Sequence, residues 1–214
     1  MNERNPPNPY VGAYPWLDGR AGIWREIARY VLKDAPHART VVELGAGYCD
    51  FINHVRAPER FAFDLNPDMA RFAGPGVKLR VGDCRGLPGI ADGGVDMLFA
   101  SNFLEHFTVE EAAALLRDAH RVLRPGGRIA LIQPNHLRCP GHYWDDPTHK
   151  TAFDHRNLPD LLTRTGFRML RMVPGLLPFS MKSRLPKIPL LVRWYLRSPI
   201  RPLAGQMYAV AERV

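Results

Sequence analysis

Val41-Val42-Glu43-Leu44-Gly45-Ala46-Gly47-Tyr48-Cys49 is the stretch that decides how this chain is built. Residues 40–44 are mostly apolar and β-branched, which predicts a strand. The two glycines that follow allow a sharp turn and let a ligand come close to the backbone with no Cβ in the way. In open α/β sheets, the turn at the carboxyl end of the first strand is where ligands bind.

The pattern continues outward on both sides. Upstream, Ile23, Ile27, Tyr30 and Val31 recur at helical spacing and predict a helix over 21–33. Downstream, strands are predicted at 60–64, 77–81, 95–100 and 128–133. The run at 95–100 is nearly all apolar, as expected of a central parallel strand covered on both faces. Thr108 and Glu111 predict a capping box for a helix over 108–123, whose apolar face is Ala112, Leu115, Ala119, Val122 and Leu123. Residues 124–127, Arg-Pro-Gly-Gly, break it. A short helix over 158–165 and closing strands at 167–173 and 206–212 complete the pattern. This alternation predicts an α/β fold, a doubly wound, Rossmann-like parallel sheet with right-handed crossovers. The expected organisation is an N-terminal arm and helix over 1–38, then one domain over 39–214 carrying a basic amphipathic insertion at 174–204.

Composition narrows the classes further. A length of 214 residues suits one core, and 46% hydrophobic and 23% charged residues are ordinary for a globular chain. Cys49, Cys84 and Cys139 are widely spaced and odd in number, which argues against a disulfide framework or a zinc site and for a reducing compartment. The first ten residues lack an apolar segment that could direct secretion, and no apolar run is long enough to span a bilayer, so a cytoplasmic location is expected. Net charge is +8, and Lys182, Arg184, Lys187, Arg193, Arg197 and Arg201 lie in a segment with no acid. The basic excess therefore belongs mostly to one segment, which argues against nucleic acid as a partner.

Two further acids stand at strand ends. Asp64 lies 21 residues after Glu43, where a carboxylate can take both hydroxyls of a ribose, and Asp83 ends the next strand within reach of an adenine amino group. A dinucleotide site wants a third glycine, so that a helix N-terminus can hold a pyrophosphate. Asp50 holds that place here and would repel the phosphates. A phosphate-free nucleoside with a cationic tail fits better, because Glu43 and backbone carbonyls suit positive groups.

With those residues in view, the chain resembles the class I S-adenosylmethionine-dependent methyltransferases, of the type 11-like group, over about residues 39–173. Glu43-Leu44-Gly45-Ala46-Gly47 is similar to their first motif. Asp64-Leu65-Asn66-Pro67 resembles their ribose-binding acid, and Gly82-Asp83-Cys84 their adenine-contacting turn. Ser101-Asn102-Phe103-Leu104-Glu105-His106 resembles the loop after their fourth strand, and residues 123–128 the turn before their fifth. Cys49 departs from the glycine common at that place. The resemblance implies a seven-stranded sheet with its last strand antiparallel, and S-adenosylmethionine held by Glu43, Gly45, Ala46, Gly47, Asp64, Leu65, Asp83, Cys84, Ser101, Asn102 and His106.

An acceptor hydroxyl needs a base over the carboxyl ends of strands four and five. Residues 136–155 supply His136, His142, Asp145, Asp146, His149, Asp154 and His155 among Tyr143, Trp144 and Phe153. His149 is the expected general base, with Asp146 orienting it and His142 as a further catalytic candidate. The segment 142–149 resembles an acceptor-side loop of bacterial methyltransferases associated with cell-surface glycans, which implies a sugar or lipid-linked glycan acceptor. A quinone or other lipid-like small molecule is the alternative substrate, and a cofactor-binding scaffold without chemistry is the alternative to an enzyme. Glu105-His106 resembles an ExxEH pattern that holds a divalent metal in some relatives, but Asn102 replaces its first acid, so no metal is expected. In the insertion, Leu190, Leu191, Trp194 and Tyr195 share one side of a short helix and Arg193 and Arg197 another, a pattern that suits an anionic membrane surface. Packing on the domain or a dimer contact are the other uses for it.

Overall fold

The computed structural model describes residues 19–178 and 188–214. The arm at 1–18 and the cations Lys182, Arg184 and Lys187 lie outside them. Helix α1 (Arg20–Val31) leads into β1 (Thr40–Leu44), β2 (Glu59–Asp64), β3 (Val77–Val81) and β4 (Val95–Ser101). Then come α2 (Val109–Val122), β5 (Leu123–Pro134), α3 (Asn157–Arg164), β6 (Phe167–Pro178), α4 (Pro189–Arg197) and β7 (Ala204–Arg213). The strands form one seven-stranded sheet in the order β3-β2-β1-β4-β5-β7-β6. Strands β1 to β5 pair in parallel, and β7 runs antiparallel between β5 and β6. Strand order reverses between β1 and β4, so the crevice over their carboxyl ends is the place where such a sheet binds ligands.

The side-chain period of two explains the layers. Val42, Leu44, Leu98, Ile129 and Leu131 point to one face and bury against Leu115, Leu116 and Ala119 of α2 and Leu158 and Leu162 of α3. Their neighbours Val41, Met97, Phe99, Ala130 and Ile132 point to the other and bury against Ile23, Ile27 and Val31 of α1. The capping box starts α2 as expected: Thr108 Oγ1 accepts from Glu111 N at 3.2 Å and Glu111 Oε2 accepts from Thr108 N at 2.9 Å.

Two strand boundaries differ from expectation by several residues, each for a packing reason. Strand β5 begins at Leu123 rather than 128, because Leu123 pairs with Val95 and residues 124–127 bulge out before Arg128 pairs with Met97. Strand β6 continues past 173 to Pro178, with Leu176 and Leu177 buried, so the insertion begins later than residue 174. Helix α4 docks on α1, which settles part of its use. Arg193 donates to Glu26 from Nε at 2.8 Å and Nη2 at 2.9 Å, and Leu196 is buried. Arg193 is therefore a packing residue and not an outward cation. No described helix is long and apolar enough to cross a membrane.

Candidate active site

The turn after β1 is built by its glycines and by Asp64. Gly45 and Gly47 have φ of 62° and 49°, in the left-handed region that favours glycine. A Cβ on Gly45 would come within 2.5 Å of the Phe103 ring, whereas one on Gly47 would meet nothing within 4 Å. Asp64 at the end of β2 ties the turn down: Oδ2 accepts from Gly47 N at 2.7 Å and Oδ1 from Asn66 N at 2.8 Å. Each oxygen keeps a second lone pair for a ligand hydroxyl.

The charges around the turn are mostly negative. Glu43 is buried beneath it, accepting from Ile52 N at 3.0 Å, and burial pushes its carboxyl well above the usual range. Asp50 pairs with Arg20, while its own burial raises its carboxyl. Burial, reinforced by Glu43, Asp64 and Asp50, pushes the Cys49 thiol up to about 12. Glu43 thus acts through the shape and field of the turn, from below, and not at its surface. On the rim, Leu65 is exposed and the Asp83 carboxylate accepts from Arg85 Nε at 2.6 Å, which holds it below its ordinary value. Cys84 is buried beside it, its thiol pushed up to about 12.

Ser101 and Asn102 stand at the carboxyl end of β4. Asn102, at φ 48°, accepts from Gln206 Nε2 at 2.6 Å, which links this loop to β7. Beyond it, the turn at Leu104–His106 meets the loop at 142–151. Glu105 O accepts from Lys150 N at 2.8 Å and Thr151 N at 3.2 Å. The fully buried Tyr143 braces the loop, donating from its hydroxyl to Thr151 O at 2.6 Å and accepting from Phe153 N at 3.0 Å. Glu105, His106 and His149 converge here, with one ligating atom from each within 4.8 Å of the others. The His106 and His149 rings lie 5.1 Å apart, and the His149 ring is tilted at 60° to that of Tyr143, 4.9 Å away.

The expected catalytic group is brought together only in part. The His149 ring is fixed by Tyr143 O, which takes Nδ1 at 2.5 Å, so the orienting partner of that nitrogen is a carbonyl and not Asp146. Asp146 works one step away. It accepts from Thr148 Oγ1 at 2.5 Å, and that hydroxyl is 2.9 Å from His106 Nδ1. His142 is exposed and bonds Asp145 Oδ2 at 2.9 Å, so it sits on the rim. Glu105, whose signal was only its place beside His106, is 1% exposed, and among the described residues no side-chain donor reaches its carboxylate oxygens. Burial raises its carboxyl to about 8.

Residues 42–131 match the family described as "Methyltransferase domain". Over those residues the chain is similar to a methyltransferase domain. A malonyl-[acyl-carrier protein] O-methyltransferase from Dechloromonas aromatica is 36% identical over 180 residues, covering 80% of this chain and 65% of that enzyme. A methyltransferase from Claviceps purpurea is 31% identical over 128 residues, 54% of this chain and 39% of the relative. The chain thus spans less than two thirds of the length of these curated relatives. Among solved structures, a Thermotoga maritima protein described as an S-adenosylmethionine-dependent methyltransferase, possible histamine N-methyltransferase, superposes with TM-score 0.71 at 19% identity, over 96% of each chain. The geranyl diphosphate C-methyltransferase of Streptomyces coelicolor, with Mg2+, geranyl diphosphate and S-adenosyl-L-homocysteine, gives 0.63 at 16% identity, over 88% of this chain and 80% of that one.

The methyltransferase domain fits its cofactor on its own geometry. Among the described residues a Cβ on Gly47 or Gly82 would meet nothing within 4 Å, and Asp64 faces the same turn. Asp64 and Asp50 face the single guanidinium of Arg20, and Glu43 beneath them is held toward its neutral form by burial, so the turn has no excess of cations to hold a pyrophosphate.

Proposed function

We propose that this protein transfers a methyl group from S-adenosylmethionine to an oxygen of a small acceptor, and that the acceptor is a sugar hydroxyl, free or on a lipid-linked glycan. The observation that carries the cofactor is the acidic, glycine-lined turn closed by Asp64. Asp64 and Leu65 would receive the ribose, Asp83 and Cys84 the adenine, and Gly45, Ala46, Gly47, Ser101, Asn102 and His106 the remaining edges. Bound there, S-adenosylmethionine supplies an electrophilic methyl group for in-line displacement.

The acceptor side follows from the loop at 142–151. With Nδ1 of His149 donating to a carbonyl, its lone pair lies on Nε2, which suits it to take a hydroxyl proton. Trp144 is exposed at the rim, with its ring 5.2 Å from Tyr143 and 6.2 Å from His136, and offers an apolar face for a sugar. The Dechloromonas relative supports a second acceptor, a carboxyl on a lipid-like acyl chain.

A lipid-linked acceptor also gives a use to α4. Ile188, Leu190, Leu191 and Trp194 are exposed beside Arg197, and their apolar edge with basic flanks suits an anionic bilayer surface. Sedimentation with vesicles containing anionic lipid tests this part. Trp194→Ser with Leu191→Ser should abolish pelleting, and failure of the parent to pellet ends the membrane role.

Calorimetry tests the cofactor. S-adenosylhomocysteine should bind and nicotinamide dinucleotide should not, and the opposite pattern overturns the reading. Transfer of labelled methyl to sugars, glycolipids or acyl carriers then assigns the acceptor.

A further inference from the structure

Glu105 presents a problem that the methyl-transfer reading does not solve. Among the described residues no side-chain donor reaches either carboxylate oxygen, and the nearby backbone N–H groups of Phe103 and Glu105 itself only partly oppose the loss of hydration. The titratable groups facing it are His106, His149 and Asp146, and the last of these repels a carboxylate. Lys150, next along the loop, turns outward to Glu111 at 3.2 Å. Among the described residues, acids and imidazoles gather here without a side-chain cation.

We propose that Glu105, His106 and His149 form a binding site for a divalent first-row transition ion, of which zinc is the representative. Two imidazoles and one carboxylate are a ligand set that zinc accepts, and they leave a further position for an oxygen ligand. His149 Nε2 lies 4.0 Å from Glu105 Oε1, and all three ligating atoms fall within 4.8 Å of one another. Ligands of one tetrahedral ion at about 2.0–2.1 Å stand roughly 3.3 Å apart, so closure asks for side-chain shifts on the order of an ångström. The outer shell is already built. Tyr143 O fixes the tautomer and direction of His149, and the Asp146–Thr148 hydroxyl pair holds His106. The backbone is pinned as well, since Glu105 O takes both Lys150 N and Thr151 N.

This inference deepens the proposed function, because it rests on the same acceptor side of the crevice. With the ion in place, the lone pair of His149 is a ligand and no longer a base. A bound ion would supply acidification of an acceptor hydroxyl, whose proton would pass to solvent.

The test uses the full chain, stripped with a chelator and titrated with Co2+ and Zn2+ in the absence of methyl donor. The expected result is one equivalent bound, with visible d–d bands for Co2+. Paramagnetic broadening should reach the ring signals of His106 and His149 before those of the other histidines. Glu105→Gln and His149→Gln should each weaken binding by at least about tenfold. No uptake by the parent overturns the site. So does broadening confined to other histidines, which is read without any substitution, or unchanged binding in both folded variants. S-adenosylhomocysteine calorimetry on the stripped chain is read separately, so loss of the metal site leaves the cofactor assignment standing, and the reverse.

Discussion

Gly45 and Gly47 share a backbone conformation but differ in what surrounds them, and that difference is measurable. Gly45→Ala adds a clash with Phe103 to the left-handed strain, so it should cost about 2–4 kcal/mol and be visible as a lowered urea midpoint. Gly47→Ala carries only the strain, about 1–2 kcal/mol, but places a methyl in the open space of the crevice. It should fold and lose affinity for S-adenosylhomocysteine in calorimetry. Equal stability loss in the two variants would contradict the packing described. His149 makes a second contrast at this scale. Replacing it with Asn should lower kcat by about 10²- to 10⁴-fold while leaving S-adenosylhomocysteine affinity unchanged, because its ring belongs to the acceptor side. Steady-state kinetics beside calorimetry separates the two effects, and a parallel fall in affinity would place His149 on the cofactor instead.

At the scale of elements, the contact between α1 and α4 depends on Glu26. Its carboxyl is held below its ordinary value first by the Arg193 hydrogen bonds and then by the nearby charges of Arg29, Arg193 and Arg25, against the opposing effect of burial. A carboxyl whose folded pKa is depressed contributes stability above its unfolded value and loses it as pH falls through the folded one. The urea midpoint of the parent should therefore exceed that of Glu26→Gln at neutral pH. The gap should close as pH drops below about 4.5. A pH-independent gap would mean that shape, not charge, joins the two helices. Arg193→Ala should lower the urea midpoint, because it takes two charge-assisted bonds from the Glu26 carboxylate. This docking also explains why the amphipathic pattern of α4 was ambiguous in the sequence. Arg193 reads as a surface cation until the fold brings Glu26, 167 residues away, beneath it.

For the whole molecule, the crevice lies where five parallel strands end and the order of the sheet reverses. A ligand that binds there and not to the unfolded chain raises stability by mass action, about 2.7 kcal/mol at a concentration 100-fold above Kd. Saturating S-adenosylhomocysteine should therefore raise the melting temperature by several degrees, and nicotinamide dinucleotide should not move it. A scanning fluorimetry series over ligand concentration checks this, and a flat series for S-adenosylhomocysteine would count against the crevice as its site.

The sequence by itself determined the alternation of strands and helices, the glycine turn, the capping box and the acids at three strand ends. These are local or periodic features: side-chain period, backbone freedom and capping chemistry act over a few residues and leave their pattern in the chain. Tertiary structure alone decided that Glu43 lies under the turn, that Tyr143 O takes His149 Nδ1, and that Glu105 is buried among two histidines with no side-chain donor of the described residues on its carboxylate. Glu105 and His149 are 44 positions apart, and neither residue type announces its burial or its partner. Desolvation and hydrogen bonding are set by what the fold packs around a group, and no spacing along the chain encodes that.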